Sequence, residues 1–254
     1  MRITACGHAK HTGHLRDHNE DNYFVDCKHG LFVVADGMGG HDDGEIASMI
    51  AVDFIKDAVR RGISLQKAVG ATHNAILMAT ERNIGSPGMG STVVVAKFDD
   101  NQYEIVWVGD SRAYLWENNN LIQLTTDHSY VQRLLDYGHI SEQEALNHPQ
   151  RNIITRALGG VEKEQVEAES IRDTFYRGEQ ILLCSDGLTD EVSYAGIASV
   201  LSERLDEQQR VDKLVQKALD NGGSDNITAV LISAPDDAPE KTNRDITVII
   251  DANQ

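Results

Sequence analysis

Leu31-Phe32-Val33-Val34-Ala35-Asp36-Gly37 is the stretch of sequence that says most about the fold. Its apolar run, rich in β-branched and aromatic side chains, predicts a buried strand. The strand ends in an aspartate and a glycine, and glycine permits the tight backbone geometry that turns a carbonyl oxygen toward an ion. Leu183-Cys184-Ser185-Asp186-Gly187 repeats the pattern. We therefore expect two strands that bring carboxylates to one rim of the fold.

Similar β-rich runs recur along the chain and predict a mainly antiparallel architecture. The turn signals Asp99-Asp100-Asn101 and Glu117-Asn118-Asn119-Asn120 join successive runs as hairpins would. Predicted helices fall together in the sequence instead of alternating with strands, which favours an α+β class. We expect a central β-sandwich of two antiparallel sheets flanked by helix pairs, in αββα layers. The predicted strands cover residues 23–25, 31–35, 92–96, 103–108, 113–116, 181–184 and 227–232, and the predicted helices cover 45–60, 64–82, 130–137 and 208–219.

The length of 254 residues and the absence of an internal linker favour one domain over residues 1–234, with a tail at 235–254. Residues 125–160 break the strand rhythm and predict an inserted flap, although a plain surface excursion explains them equally well. In the tail, the β-prone run 246–250 predicts an added strand or a flexible end; a strand that docks a partner is a further alternative.

Composition excludes some classes of partner. The formal net charge of −17 argues against nucleic acid, whose binding needs clustered Lys and Arg. The N-terminus lacks the apolar region of a signal peptide, and it also lacks an apolar run long enough to span a membrane. We therefore expect a cytoplasmic protein without a membrane segment. Three widely spaced cysteines predict reduced thiols.

Four aspartates occupy comparable places in the sequence. Asp36, Asp110 and Asp186 each adjoin a glycine at the end of a predicted strand, and Asp225 lies in a turn just before one. Each alone is also typical of an ordinary turn. Together they favour a shared site at one rim, and their hard oxygen atoms suit Mg²⁺ or Mn²⁺.

The segment Arg16-Asp17-His18-Asn19-Glu20-Asp21 supplies further charge. A solvated turn is the plain interpretation. In this context, however, Arg16 offers a planar fork that matches two phosphate oxygens, and Glu20 can complete a carboxylate-bridged pair of metals with Asp36. Two such metals can share and activate a water for attack on phosphorus. The sequence contains no nucleophile elbow, P-loop or Cys-x5-Arg loop, so we expect hydrolysis without a covalent intermediate.

These residues belong to an ordered set of motifs that resembles the metal-dependent protein phosphatase family, called PPM or type 2C, in its compact bacterial form. The resemblance spans roughly residues 4 to 233. Its motifs are Arg16-x-x-Asn19-Glu20-Asp21, Val34-Ala35-Asp36-Gly37-Met38-Gly39-Gly40, Gly90-Ser91-Thr92, Val108-Gly109-Asp110-Ser111-Arg112, Cys184-Ser185-Asp186-Gly187 and Ser224-Asp225-Asn226-Ile227-Thr228. The resemblance implies a cytoplasmic protein Ser/Thr phosphatase that opposes kinases in signalling, and we expect it to act as a monomer on phosphorylated proteins.

The resemblance also implies a role for each matching residue. Asp36, Asp186 and Asp225 would bind one metal, and Glu20, Asp36 and the Gly37 carbonyl the other. Arg16 would bind phosphate, and Asp21 would orient a ligand or a water. Asp110, with Asp186, would hold a third, weaker ion. Apart from the resemblance, we expect the basic pair Arg151 and Arg156 of the predicted flap to bind substrate and help to select it.

One position departs from the pattern. Animal relatives place a histidine after the Asp-Gly pair as general acid, whereas this chain has Met38, which cannot donate a proton. We hypothesise that a water on a metal, the third ion being one candidate, replaces that imidazole. Two alternatives to a protein phosphatase stay open: a metal-binding pseudophosphatase that recognises phosphoproteins, supported by Met38 alone, and a phosphatase for small phosphate esters.

Overall fold

Two antiparallel sheets face each other across a layer of apolar side chains. The computed structural model describes residues 3, 5–40, 43–160 and 166–241. In this part of the chain the strands are β1 (Ala5–His11), β2 (Asp21–Asp26), β3 (Leu31–Met38), β4 (Gly90–Ser91), β5 (Val93–Asp99), β6 (Gln102–Val108), β7 (Arg112–Glu117), β8 (Asn120–Gln123), β9 (Glu169–Thr174), β10 (Gln180–Cys184) and β11 (Ile227–Ser233). The helices are α1 (Asp43–Arg60), α2 (Leu65–Glu81), α3 (Tyr130–Asp136), α4 (Glu142–Leu146), α5 (Asp186–Thr189), α6 (Tyr194–Leu201) and α7 (Glu207–Asn221). One sheet has the order β1-β11-β10-β7-β8, and the other β2-β3-β5-β6-β9 with β4 paired to β3.

Strand β3 shows why both faces of its sheet are apolar. Phe32 and Val34 pack in the layer between the two sheets, whereas Val33 and Ala35 pack in the cluster that contains α1 and α2. Successive side chains of a strand point to opposite faces, so an unbroken apolar run fits a strand that is buried on both. Helices α6 and α7 cover the outer face of the other sheet in the same way. The predicted αββα layers and the α+β class are confirmed.

Most predicted elements are present within a few residues of their predicted bounds, and the two predicted hairpins join β5 to β6 and β7 to β8. Sequence reasoning missed β1, β4, β8, β9, α4, α5 and α6. Strand β9 reads Glu-Ser-Ile-Arg-Asp-Thr and has no buried residue, because it lies at a sheet edge and shows no apolar alternation. The prediction of reduced thiols is wrong for Cys6 and Cys27, which are paired as a disulfide. Sequence spacing did not reveal that β1 and the end of β2 bring these residues together.

The segment 125–160, which we call the flap segment, contains α3 and α4. It is joined to the body of the fold at its base, where Ser129 forms an isolated bridge with Ile154 and Leu158 forms one with Ser91. Of the predicted tail, residues 235–241 are described, and Lys241 Nζ donates to Glu117 Oε1 at 2.7 Å. The run 246–250 lies outside the described residues. Among the helices of the described ranges, none has the length and apolar character needed to cross a membrane.

Candidate metal centre and active site

Strand ends from both sheets meet at one rim and line a cavity of about 620 Å³, which we call the rim cavity. Asp21 at the start of β2 pairs in register with Asp36 near the end of β3. From the facing sheet, β10 ends directly before Ser185 and Asp186, and β11 begins directly after Asp225 and Asn226. Most of the predicted metal and phosphate residues line this one cavity: Arg16, Glu20, Asp36, Gly37, Asp186 and Asp225.

Backbone contacts fix the first predicted ligands. The Glu20 carbonyl oxygen accepts hydrogen bonds from the Gly37 N–H at 3.2 Å and from Ser48 Oγ at 2.6 Å. A side chain at Gly37 would overlap the Gly44 carbonyl, so the close approach of β3 to the start of α1 requires glycine there. The Glu20 side chain and the Gly37 carbonyl are thereby held at the same rim.

Asp21 lies beneath the cavity and joins the two sheets. Its Oδ2 accepts hydrogen bonds from Ser185 Oγ at 2.8 Å and from Thr228 Oγ1 at 2.6 Å, and the side chain is buried. Burial raises the pKa of Asp21 to about 6, although both hydroxyls favour the charged form. Asp21 contacts the residue next to Asp186 and not the cavity itself, which suits a positioning role.

Electrostatic repulsion is concentrated at the rim. Burial, followed by the neighbouring charges of Asp21, Asp186 and Asp110, raises the pKa of Asp36 well above its ordinary value. Burial and the charge of Asp110 raise the pKa of Asp186 in the same way. Grouped carboxylates that resist ionisation in this way are stabilised by a bound cation.

The donor set fits a hard divalent ion. Within the described part of the chain, three buried carboxylate oxygens lack a hydrogen-bond partner: the Oδ1 atoms of Asp21, Asp110 and Asp186. Buried polar atoms normally have a hydrogen-bond partner, and Asp110 and Asp186 are predicted metal ligands. Their unpartnered oxygens are therefore suited to bind a cation. Among all the described residues, no three His, Cys, Asp or Glu side chains form an assembled ion cage. Instead, the Asp36 and Asp186 carboxyl groups share a hydrogen bond, and Asp225 forms a salt bridge with Arg16.

Arg16 is the cationic group of the rim cavity. Its Nη2 lies 2.7 Å from Asp225 Oδ2, and its side chain is 54% exposed. The hydrogen bond to Asp225 raises the pKa of Arg16, so the guanidinium is charged. An exposed, charged fork at the mouth of the cavity can bind a phosphate.

The remaining predicted site residues lie apart from the rim cavity. Asp110 lines a neighbouring cavity together with Asp186 and Arg151. Burial, with the charge of Asp127, raises the pKa of Asp110 to about 7. Arg156 lines neither cavity: its Nη1 lies 3.2 Å from Glu169 Oε1 and 3.1 Å from His128 Nε2.

Two residues that sequence reasoning did not single out also shape the site. The Asn226 side chain accepts the Glu20 N–H at 2.7 Å and donates to the Thr12 and His18 carbonyls at 2.8 and 2.9 Å. His128 Nδ1 accepts the Gly109 N–H at 3.0 Å, while the His128 N–H donates to the Gly109 carbonyl at 2.9 Å. Asn226 belongs to the last of the family motifs, but no sequence signal shows which backbone groups its amide bonds.

Comparison with known proteins agrees with this geometry. Residues 12–222 match the family model described as protein phosphatase 2C. A serine/threonine phosphatase, stp, from Listeria innocua is 40% identical over 233 residues, which cover 87% of this chain and 92% of the relative. The crystal structure of the serine/threonine phosphatase PstP/Ppp from Mycobacterium tuberculosis superposes with a TM-score of 0.83 at 34% identity, covering 94% of this chain and all of that one.

A solved structure of the PstP catalytic domain holds two manganese ions; its TM-score is 0.81 at 33% identity, covering 91% of this chain and 98% of that one. The family model and the Listeria relative each extend over most of the chain. The chain therefore belongs to the protein phosphatase 2C family, and the predictions of this family and of a protein Ser/Thr phosphatase, a hydrolase, are confirmed.

Proposed function

We propose that this chain hydrolyses phosphoserine and phosphothreonine in proteins phosphorylated by Ser/Thr kinases, with Mn²⁺ or Mg²⁺ bound at the rim cavity. The observation that carries the proposal is the convergence of Arg16 with four carboxylates from both sheets in one open cavity. A cation-binding acidic floor with a charged arginine at its mouth suits a phosphate monoester, whose oxygens need positive charge on every side.

The division of ligands that we propose is the one that the family resemblance implies. Asp36 would contribute to both ions, with Asp186 and Asp225 completing one and Glu20 and the Gly37 carbonyl completing the other. When bound, the ions would supply an activated water as nucleophile and neutralise charge on the phosphoryl group. Asp110 shares the neighbouring cavity with Asp186, which supports a third, weaker ion between these two residues.

The protein groups around that centre hold the phosphate and orient the segments that carry the proposed ligands. Arg16 would exchange its bond to Asp225 for bonds to two phosphate oxygens, since a ligating Asp225 no longer needs the guanidinium. Asp21, through its hydrogen bonds from Ser185 and Thr228, ties the start of β2 to the end of β10 and the start of β11 in the facing sheet. Asn226 fixes the segment that carries Arg16 and Glu20.

Met38 also lines the rim cavity, where its thioether cannot protonate the departing Ser or Thr oxygen. This residue is the one observation that favours the alternative of a phosphoprotein-binding pseudophosphatase. The five side chains that would bind phosphate and the two main ions are nevertheless present, as is Asp110, so we favour the enzyme. We further propose that the protein acts as a monomer in the cytoplasm.

The test is phosphate release from a phosphothreonine peptide by protein that has been stripped of metal and then resupplied with Mn²⁺ or Mg²⁺. We expect activity to return with metal in the wild type and to be absent in Asp36→Ala and Asp186→Ala. A parallel assay with p-nitrophenyl phosphate separates the alternatives. Hydrolysis of this small ester without hydrolysis of several phosphopeptides would favour the small-ester phosphatase, and metal binding without hydrolysis of either would favour the pseudophosphatase.

A further inference from the structure

A second cavity, of about 570 Å³, adjoins the rim cavity between the flap segment and the chain that runs from α5 into α6. We call it the flap cleft. Asp186 and Asn152 line both cavities, so the cleft is continuous with the proposed site of phosphate hydrolysis. Its volume falls within the range of about 300 to 1,000 Å³ that is typical of ligand pockets. A substrate peptide whose phosphorylated residue enters the rim cavity can therefore place a neighbouring side chain in the cleft.

The lining of the cleft is mixed, with an apolar part contributed by the flap segment and by α6. Leu135 of α3 and Leu146 of α4 line it from the flap segment, and Tyr194 and Ile197 line it from α6. Leu146 is 72% exposed and Tyr194 is 54% exposed. Helix α3 has no buried residue and α4 buries only Ala145, so the core does not use Leu135 or Leu146, whereas Ile197 is buried and belongs to the core beneath the cleft. Exposed apolar groups gathered around a cavity indicate a binding surface.

The charged groups of the cleft do not favour an anionic occupant. Arg112 forms a two-pronged pair with Asp127, with Nε and Nη2 within 2.6 to 3.0 Å of its oxygens. Arg151 lies 3.5 Å from Asp190. Both arginines that line the cleft already have a carboxylate partner, and the chain as a whole carries a net charge of −17. Five acidic side chains also line the cleft, so it is not a second phosphate site, and the contact that it offers to an apolar group comes from Leu146 and Tyr194.

From these observations we propose that the flap cleft binds a large apolar side chain of the substrate, such as Leu or Phe, close in sequence to the phosphorylated Ser or Thr. This inference rests on the proposed phosphatase function and adds the class of substrate sequence. The apolar side chain packs against Leu146 and Tyr194 while phosphate lies at Arg16. Leu146 and Tyr194, on opposite sides of the cleft, thus select the peptide sequence, and the residues of the rim cavity hydrolyse its phosphate ester.

The test compares phosphothreonine peptides that have serine at all flanking positions with peptides in which leucine replaces serine at each flanking position in turn. For the wild type we expect leucine at one or two positions to raise kcat/KM about tenfold, because part of a large apolar side chain leaves water. In Leu146→Ser and Tyr194→Ser, the ratio of kcat/KM for the leucine peptide to that for the serine peptide should fall toward one. The ratio cancels any change in catalytic rate that is common to both peptides.

Met78→Ser is the matched control, because Met78 is 48% exposed on α2 and lines neither cavity. It should keep the wild-type ratio. Hydrolysis of all peptides without preference for leucine, or a preference that survives in both cleft variants, would overturn this inference and leave the phosphatase proposal intact. No hydrolysis of any peptide would overturn both. A cleft variant that lowers the apparent mass in gel filtration while keeping the leucine preference would assign the cleft to contact between copies of the chain.

Discussion

Replacing Asp21 by asparagine should stabilise the metal-free protein and weaken its metal centre at the same time. Burial raises the pKa of Asp21 from 3.8 to about 6. The folded state therefore binds this proton more tightly than the unfolded state does, and the stability that the proton provides is lost as the pH rises from about 4 to about 6. One pKa unit corresponds to about 1.4 kcal/mol, so above pH 6 the ionised carboxylate destabilises the fold by about 3 kcal/mol.

Asparagine removes that charge and keeps an oxygen that can accept from Ser185 and Thr228. At pH 8, with metal chelated, we expect Asp21→Asn to unfold about 6 to 12 °C above the wild type, from the usual 2 to 4 °C per kcal/mol for a chain of this size. At pH 4 the two proteins should unfold at similar temperatures. Mn²⁺ affinity should fall about 10- to 100-fold, the usual effect of losing a group that orients metal ligands.

Calorimetric unfolding at pH 4 and pH 8, with Mn²⁺ titration of the folded proteins, measures both effects. A metal-free Asp21→Asn protein that is less stable than the wild type at pH 8 would refute the reasoning. That result would mean that the charge-assisted bonds from the two hydroxyls outweigh the burial of the carboxylate.

Three further predictions concern the rim and the neighbouring cavity. Arg16→Lys should lower kcat/KM for a phosphopeptide roughly 10- to 100-fold, because lysine lacks the planar fork, and an unchanged kcat/KM would contradict phosphate binding by Arg16. Burial raises the pKa of Asp110 to about 7, and the carboxyl group must lose its proton to bind an ion. As the pH is raised toward 7, Mn²⁺ affinity at the weaker site should therefore increase about tenfold per pH unit, and above pH 7 it should level off. The same pH slope in Asp110→Asn would exclude Asp110 as the source. Met38→His should raise kcat for phosphothreonine by up to about 100-fold below the histidine pKa of about 6.5, with the gain lost as pH rises through that value. A pH–rate profile identical to that of the wild type would show that no general acid is needed at this position.

The buried strands were predictable because the faces that a strand buries determine which of its residues are apolar. Strand β3 is buried on both faces, so its apolar run is unbroken, and its end is marked by Asp36 and Gly37. Strand β9 lies at an edge with both faces partly wet, and its polar sequence gives no period of two. The disulfide of Cys6 and Cys27 depends on how the two sheets face each other, which spacing along the chain does not encode.

The acidic floor of the site was predictable for a related reason. In an antiparallel pair the end of one strand lies beside the start of its neighbour, so Asp186 after β10 and Asp225 before β11 share one rim, and Asp36 joins them from the facing sheet. The partners of individual side chains could not be predicted in this way. Arg156 was expected near substrate because it is a basic residue of the predicted flap, yet its charge faces Glu169 on an edge strand that the sequence did not reveal.

The number of Mn²⁺ ions bound per chain in a set of carboxylate variants tests the central claim most directly. At Mn²⁺ concentrations too low for a weaker third site, we expect equilibrium dialysis to find two ions in the wild type, one in Glu20→Gln, one in Asp225→Asn and none in Asp36→Asn. Asp17→Asn is the matched control, because Asp17 lines the rim cavity without being a proposed ligand, and it should bind two. Two tightly bound ions in Asp36→Asn, or equal losses in all four variants, would contradict the assignment of the metal centre.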